Sequence, residues 1–387
     1  MLAIVNAEIY TISSGRISGG TVLVDAGKIV AAGSHLEVPP AADIVDARGR
    51  IVTPGIVEAH AHLGINEQGV GWEGRDGNES SEPITPQVDA LDAINPRDDA
   101  FREFREAGIT SALVPPGSGN LIGGTAVAIK CYGDIVDEMV IKNPVGMKAA
   151  LGENPKGSYG RRGKAPSTRM ANAAMIREAL DKAKEYMDKK EKAEENDGDH
   201  PTYDVKSEAL IPLLRGEIPL RVHCHRADDI VTAVRLCNEY DLQYTLEHVT
   251  EGDHVADFLL ENDAYCAVGP TLQYGSKAEN RERSFSTPIV LAEKGVHMCF
   301  TTDHPVMAGQ FLAPTAGVAV SWGMDYDTAL RSVTLTAAEH IGIEDRVGSI
   351  EAGKDADLVI WSGDPLDYTT FADYTIIDGQ VVYQREV

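Results

Sequence analysis

Cysteine is scarce in this 387-residue chain, and the five present (Cys131, Cys224, Cys237, Cys266 and Cys299) form no CxxC pair. That excludes a disulfide-stapled scaffold and a cysteine-based zinc ribbon, and it leads to the expectation of a reduced, cytoplasmic protein. No run approaches the roughly 18 apolar residues of a membrane span, so no membrane partner is expected. The start, MLAIVNAEIYTISSG, lacks the basic residues that open a secretory signal, so no leader is expected. Basic residues are also short: 35 Lys and Arg stand against 60 Asp and Glu, a net charge of −25. Such a field repels a phosphate backbone and disfavours nucleic acid as a partner. What is present is ordinary globular material, 43% hydrophobic and 25% charged.

The pattern along the chain has three parts. The first fifty residues read as short strands broken by Gly, Asp and Asn, as in TVLVDAGKIVAAGS. The last forty-five read the same way, and Asp378-Gly379 between two apolar runs signals a hairpin. The expectation is a small β-sandwich domain built from residues 1–54 and 343–387 together. Between them, strand patterns occupy 55–62, 108–115, 126–133, 145–151, 219–225, 242–249, 264–270 and 295–303. Amphipathic helical patterns fall at 168–190, 227–240, 252–262, 286–294 and 326–341. Eight strands alternating with helices predict a closed, parallel (β/α)8 TIM-like barrel over residues 55–342. The charge run DKKEKAEENDGDH reads as a solvated helix end and loop.

The chemistry lies in where the histidines fall. His60 and His62, His223 and His225, and His248 all sit at the C-terminal ends of predicted strands, and Asp303 and His304 end the eighth. Strand residues i and i+2 point the same way, so each His-x-His pair projects together. The C-terminal rim is where such barrels carry their sites. Imidazoles joined by a carboxylate suit Zn²⁺ or a similar divalent ion. One His-x-His pair is weak, but chance must here explain two pairs, a further His and an Asp. His35, His200, His254, His297 and His340 fit no pattern and read as surface or packing residues.

The run GRIVTPGIVEAHAHLG resembles the opening barrel strand of the amidohydrolase superfamily, closest to its imidazolonepropionase-like and isoaspartyl-dipeptidase-like branches. EAGKDADLVIWSGDPL is similar to the return of that chain into its small β domain. The resemblance implies one or two divalent metals, zinc above all. It implies that His60 and His62 hold the more buried ion and His223 and His248 the second. Asp303 would ligate and shuttle the proton, and His225 would lie within reach of substrate. For the fourth-strand ligand it leaves two candidates, a carboxylated Lys148 or Glu153, with Lys148 preferred on spacing. Deaminases of heterocycles in this superfamily carry a glutamate three residues after the fifth-strand histidine. Here that position is Arg226, so hydrolysis of an amide C–N bond in a dipeptide, an N-acyl amino acid or a cyclic amide is expected. The alternatives are a mononuclear-metal deaminase and an assembly homologue without catalysis.

Substrate-facing residues are less determined. Lys156, Arg161, Arg162, Arg226 and Lys277 fall in predicted loops and offer cations for a substrate carboxylate. Tyr274 and His304 are further candidates, and Trp72 lies on a Gly-rich loop that reads as a lid. VPPGSGNLIGGTA lacks the Lys-Ser/Thr ending of a P-loop. A small-molecule substrate is the implied partner, and the sequence leaves a homo-oligomer open.

Overall fold

The computed structural model describes residues 1–386. It contains sixteen strands: β1 Leu2–Tyr10, β2 Arg16–Asp25, β3 Lys28–Gly33, β4 Asp43–Asp46, β5 Ile51–Pro54, β6 Ile56–Glu58, β7 Ile109–Val114 and β8 Ile122–Lys130. They continue with β9 Val140–Ala150, β10 Leu220–Cys224, β11 Tyr244–His248, β12 Tyr265–Val268, β13 His297–Phe300, β14 Leu358–Trp361, β15 Ala372–Ile377 and β16 Gln380–Gln384. The terminal strands make one branched sheet, in the order β16-β15-β14-β5-β1-β2-β3 with β4 also on β1. Two packed sheets were expected. The difference arises at β1, which pairs β4 through residues 2–5 and β5 through residues 8–9. Asp378 and Gly379 both take positive φ between β15 and β16, the geometry that a two-residue hairpin turn demands.

The eight middle strands form the second sheet, in unbroken order from β6 to β13. Each expected strand is present, but the all-parallel expectation fails at the third. β8 runs antiparallel to both β7 and β9. The linkers 115–121 and 131–139 explain this, because a parallel return needs about a dozen residues or more. From β9 onward every pairing is parallel. No ladder joins β13 to β6 among the described residues. Glu58 closes that seam instead: its carboxylate accepts from the Thr301 hydroxyl at 2.6 Å and from the Thr302 backbone N–H at 3.0 Å.

Helices cover the sheet largely where the apolar periodicity placed them. The expected 168–190 helix runs Arg169–Asn196, so the charge run is mostly helical. The 326–341 pattern divides into Tyr326–Ser332 and Leu335–Ile341. Gly55 marks the passage from β5 to β6, where a Cβ would meet the Thr110 hydroxyl at 2.0 Å. Below the barrel, a buried ion network ties β8 to the terminal sheet. Lys130 Nζ lies 2.8 Å from Asp357 and 2.9 Å from Asp355, and Arg346 lies 2.7 Å from Asp355.

Candidate metal centre

Five imidazoles meet at the C-terminal ends of the parallel strands, and every one is held by its Nδ1. His60 Nδ1 pairs with Glu247 Oε2 at 3.1 Å, and His62 Nδ1 with the Pro115 carbonyl at 3.0 Å. His223 Nδ1 meets the Ser118 hydroxyl at 2.9 Å, His225 Nδ1 the Thr250 hydroxyl at 2.7 Å, and His248 Nδ1 the Gly269 carbonyl at 2.8 Å. Fixing Nδ1 sets the ring orientation and leaves Nε2 available. Two donor groups result, with ligand atoms all within 4.8 Å of one another: His60, His62 and Asp303, and His223, His225 and His248. His60 connects the groups, since its ring centroid is 5.0 Å from that of His248. His248 and Asp303 both take positive φ (79° and 52°), a strained backbone that aims these two side chains.

The electrostatics suit ligation. Burial holds His60 down to about 3, helped by the nearby Lys148 charge, and burial drives His223 and His225 well below the ordinary imidazole value. Burial works to raise Asp303, yet the imidazoles of His248, His62 and His60 hold its carboxyl well below the usual range. Neutral rings beside an ionised carboxylate are the protonation states in which these groups bind metals. Lys148 is fully buried, 3.1 Å from His60 Nε2, and burial lowers its ammonium to about 8.

A divalent cation fits this chemistry. Buried polar atoms are normally paired. Here His248 Nε2 and Asp303 Oδ1 are buried with no hydrogen bond, although His62 Nε2 is 3.3 Å from Asp303 Oδ1, and Glu279 Oε1 has only the Lys277 ammonium, at 2.9 Å. Two orphaned atoms among clustered nitrogen and oxygen donors are what a bound ion satisfies.

The other candidates are placed differently. Glu153 opens the helix Glu153–Gly160 at the rim and belongs to neither donor group, so Lys148 is the fourth-strand residue at the centre. His225, expected to reach substrate, is 4% exposed and joins the second donor group, because Thr250 anchors it inward. An open cleft of about 580 Å³ contains His62, Asp303, Glu153, Asn154, Arg161 and Lys277. Lys156 and Arg226 line the adjoining cleft, and Arg226 pairs with Asp228 at 2.9 Å. Arg162 donates to the Ser80 carbonyl. His304 turns away and packs edge-on against Phe104 at 5.2 Å. Tyr274 and Trp72 are each 87% exposed and line neither cleft.

Sequence reasoning passed over two carboxylates and a histidine. Glu247 sits fully buried under His60, and His340, read as a surface or packing residue, lies 3.2 Å from Glu247 Oε1. The signal was a lone acid inside the apolar strand YTLEH. Glu279 came from a loop with no periodicity to mark it.

An eight-stranded barrel with clustered imidazole and carboxylate donors at its strand ends is the architecture of barrel hydrolases. The chain belongs to the amidohydrolase family, whose profile matches residues 51–382. It is 31% identical to the amidohydrolase tasK of Hapsidospora irregularis over 95% of this chain, and it spans 40% of that relative's length. A 47-residue segment, 12% of the chain, is 45% identical to imidazolonepropionase of Staphylococcus aureus. An amidohydrolase structure from Thermotoga maritima superposes with a TM-score of 0.97 at 41% identity, covering 100% of both chains. A prolidase bound to N-methylphosphonate-L-proline shares the fold at 18% identity and TM-score 0.63, over 99% of this chain and 100% of the prolidase.

Proposed function

We propose that this amidohydrolase is metal-dependent and hydrolyses an amide C–N bond in a small polar substrate: a dipeptide, an N-acyl amino acid or a cyclic amide. The observation that carries the reading is the common arrangement of five imidazoles, each tied at Nδ1 and clustered with Asp303. His60, His62 and Asp303 would hold one ion, and His223, His225 and His248 the other, with Lys148, as its carbamate, between them. Bound divalent ions supply hydroxide near neutral pH and polarise the scissile carbonyl.

The protein's own residues supply the rest. Asp303 lines the open cleft, accepts a proton there as the attacking oxygen forms its bond, and returns it to the leaving nitrogen. Glu247 accepts the Nδ1–H of His60 and directs Nε2 to the centre. Asn66, Asn78, Ser80, Ser118 and Lys277 line the cleft, which supports a substrate with several hydrogen-bonding groups. The five cysteines are buried thiols without a disulfide, which supports the cytoplasm as compartment. A separate apolar cluster, including Ile4, Val22, Val52, Leu358 and Ile376, supports a small domain of residues 1–54 and 343–387 beside a barrel of 55–342.

The test is elemental analysis with an amide panel. Two ions per chain and amide cleavage, both lost from the paired substitutions His60→Ala and His62→Ala, are expected. Full activity in a metal-free protein would overturn the proposal. Release of ammonia from purines or pyrimidines without a new carboxylate would select the deaminase instead.

A further inference from the structure

We propose that Glu279, on the loop after β12, is a further donor to the cation held by His223, His225 and His248; this rests on the metal-dependent reading above. The Glu279 side chain is 1% exposed, and its two oxygens are used differently. Oε2 accepts the Glu153 backbone N–H at 2.8 Å and lies 3.7 Å from the Arg169 guanidinium. Oε1 makes no hydrogen bond of acceptable geometry and lies 3.9 Å from His223 Nε2 and 3.9 Å from His225 Nε2. Those nitrogens face away from the Ser118 and Thr250 hydroxyls that hold the rings. The third ring of the group, His248, has an orphaned Nε2 as well. Apart from the carbamate proposed for Lys148, the three imidazoles bring no carboxylate of their own to a divalent ion, whereas the other donor group has Asp303. Glu279 brings a side-chain carboxylate to the second group, 3.9 Å from two of its three rings.

Lys277 offers a competing account of this carboxylate. Its Nζ lies 2.9 Å from Glu279 Oε1 and 2.9 Å from Asn154 Oδ1. Asn154 Nδ2 in turn lies 3.3 Å from His223 Nε2. An ammonium at that place satisfies Glu279 electrostatically, as a metal ion would. Because Lys277 lines the open cleft, it can yield the position by turning outward. Glu279 is then either a ligand with Lys277 as a stand-in cation, or an anchor whose purpose is to hold Lys277. The two roles differ in what removing the lysine does to metal binding.

The experiment uses the full chain reconstituted with Zn²⁺ and with Co²⁺, as wild type, Glu279→Gln, Glu279→Asp and Lys277→Met. Ions per chain are counted, second-ion affinity is measured by chelator competition, and the visible absorption of the Co²⁺ forms is recorded. The wild type is expected to bind two ions. Glu279→Gln should keep the ion at His60, His62 and Asp303, bind the second at least about tenfold more weakly, and show an altered Co²⁺ spectrum. Glu279→Asp should fall between the two. Lys277→Met should bind the second ion as tightly as wild type or more tightly. Unchanged second-ion affinity in Glu279→Gln, or an equal loss in Glu279→Gln and Lys277→Met, would overturn the assignment while leaving the metal-dependent reading intact. A wild type that binds no ion would overturn that reading first, and this inference with it.

Discussion

Two buried polar clusters lie at opposite ends of this barrel, and they are finished differently. At the base, Lys130 and Arg346 meet Asp355 and Asp357 at 2.7–2.9 Å, and none of these four has an unpaired buried polar atom. At the strand ends, His248 and Asp303 each keep one buried atom without a hydrogen bond, and Glu279 Oε1 has only the Lys277 ammonium, at 2.9 Å. The difference lies in what the protein leaves for something else to complete. The base is a closed ion-pair network that fastens β8 to the terminal sheet. The strand ends form an open donor set, with backbone strain at His248 and Asp303 maintained by the surrounding packing.

That contrast can be broken at either end. The largest effect is expected from the paired His60→Ala and His62→Ala substitutions, which should lower hydrolysis more than about 100-fold, since even partners one step removed from a metal are worth 10–100-fold. The melting temperature of the metal-free protein should change little. Lys130→Met should do the reverse: about 3–5 kcal/mol of stability lost by denaturant titration, because Asp357 stays buried without its cation, with ions per chain unchanged. A loss of metal in Lys130→Met would show that the two clusters are not independent.

Glu247→Gln sharpens the comparison, because Glu247 belongs to the network beneath the donors rather than to the donors. It should weaken metal binding about 10–100-fold with both ions still recoverable at saturating metal. The smallest effects are expected from Trp72→Ala and Tyr274→Phe. Both side chains stand in solvent, so stability should move by less than about 0.5 kcal/mol and kcat/KM should hardly move. A large fall in kcat/KM for Trp72→Ala would bring its loop back as a lid over the cleft.

Much of this was legible in the residues. The eight barrel strands announce themselves by apolar runs, and His60, His62, His223, His248 and Asp303 stand out because polar side chains end those runs. The direction of β8 was hidden, since a strand's sequence does not encode its polarity; only the lengths of 115–121 and 131–139 carry that information. Glu247 and His340 were hidden for a different reason. Their partners come from β11 and from the helix Leu335–Ile341, and nothing local links residues so far apart in sequence. His225 follows its i, i+2 spacing and stands with His223; the family resemblance, not the spacing, assigns it to substrate, and the Thr250 hydroxyl holds its ring at 2.7 Å.

Anomalous diffraction at the zinc absorption edge, from crystals grown with Zn²⁺, tests the central claim most directly. The account predicts two peaks at the strand ends, one among His60, His62 and Asp303 and one among His223, His225 and His248, and no peak at Lys130. A fully active crystal form with no peak at either donor group would contradict it.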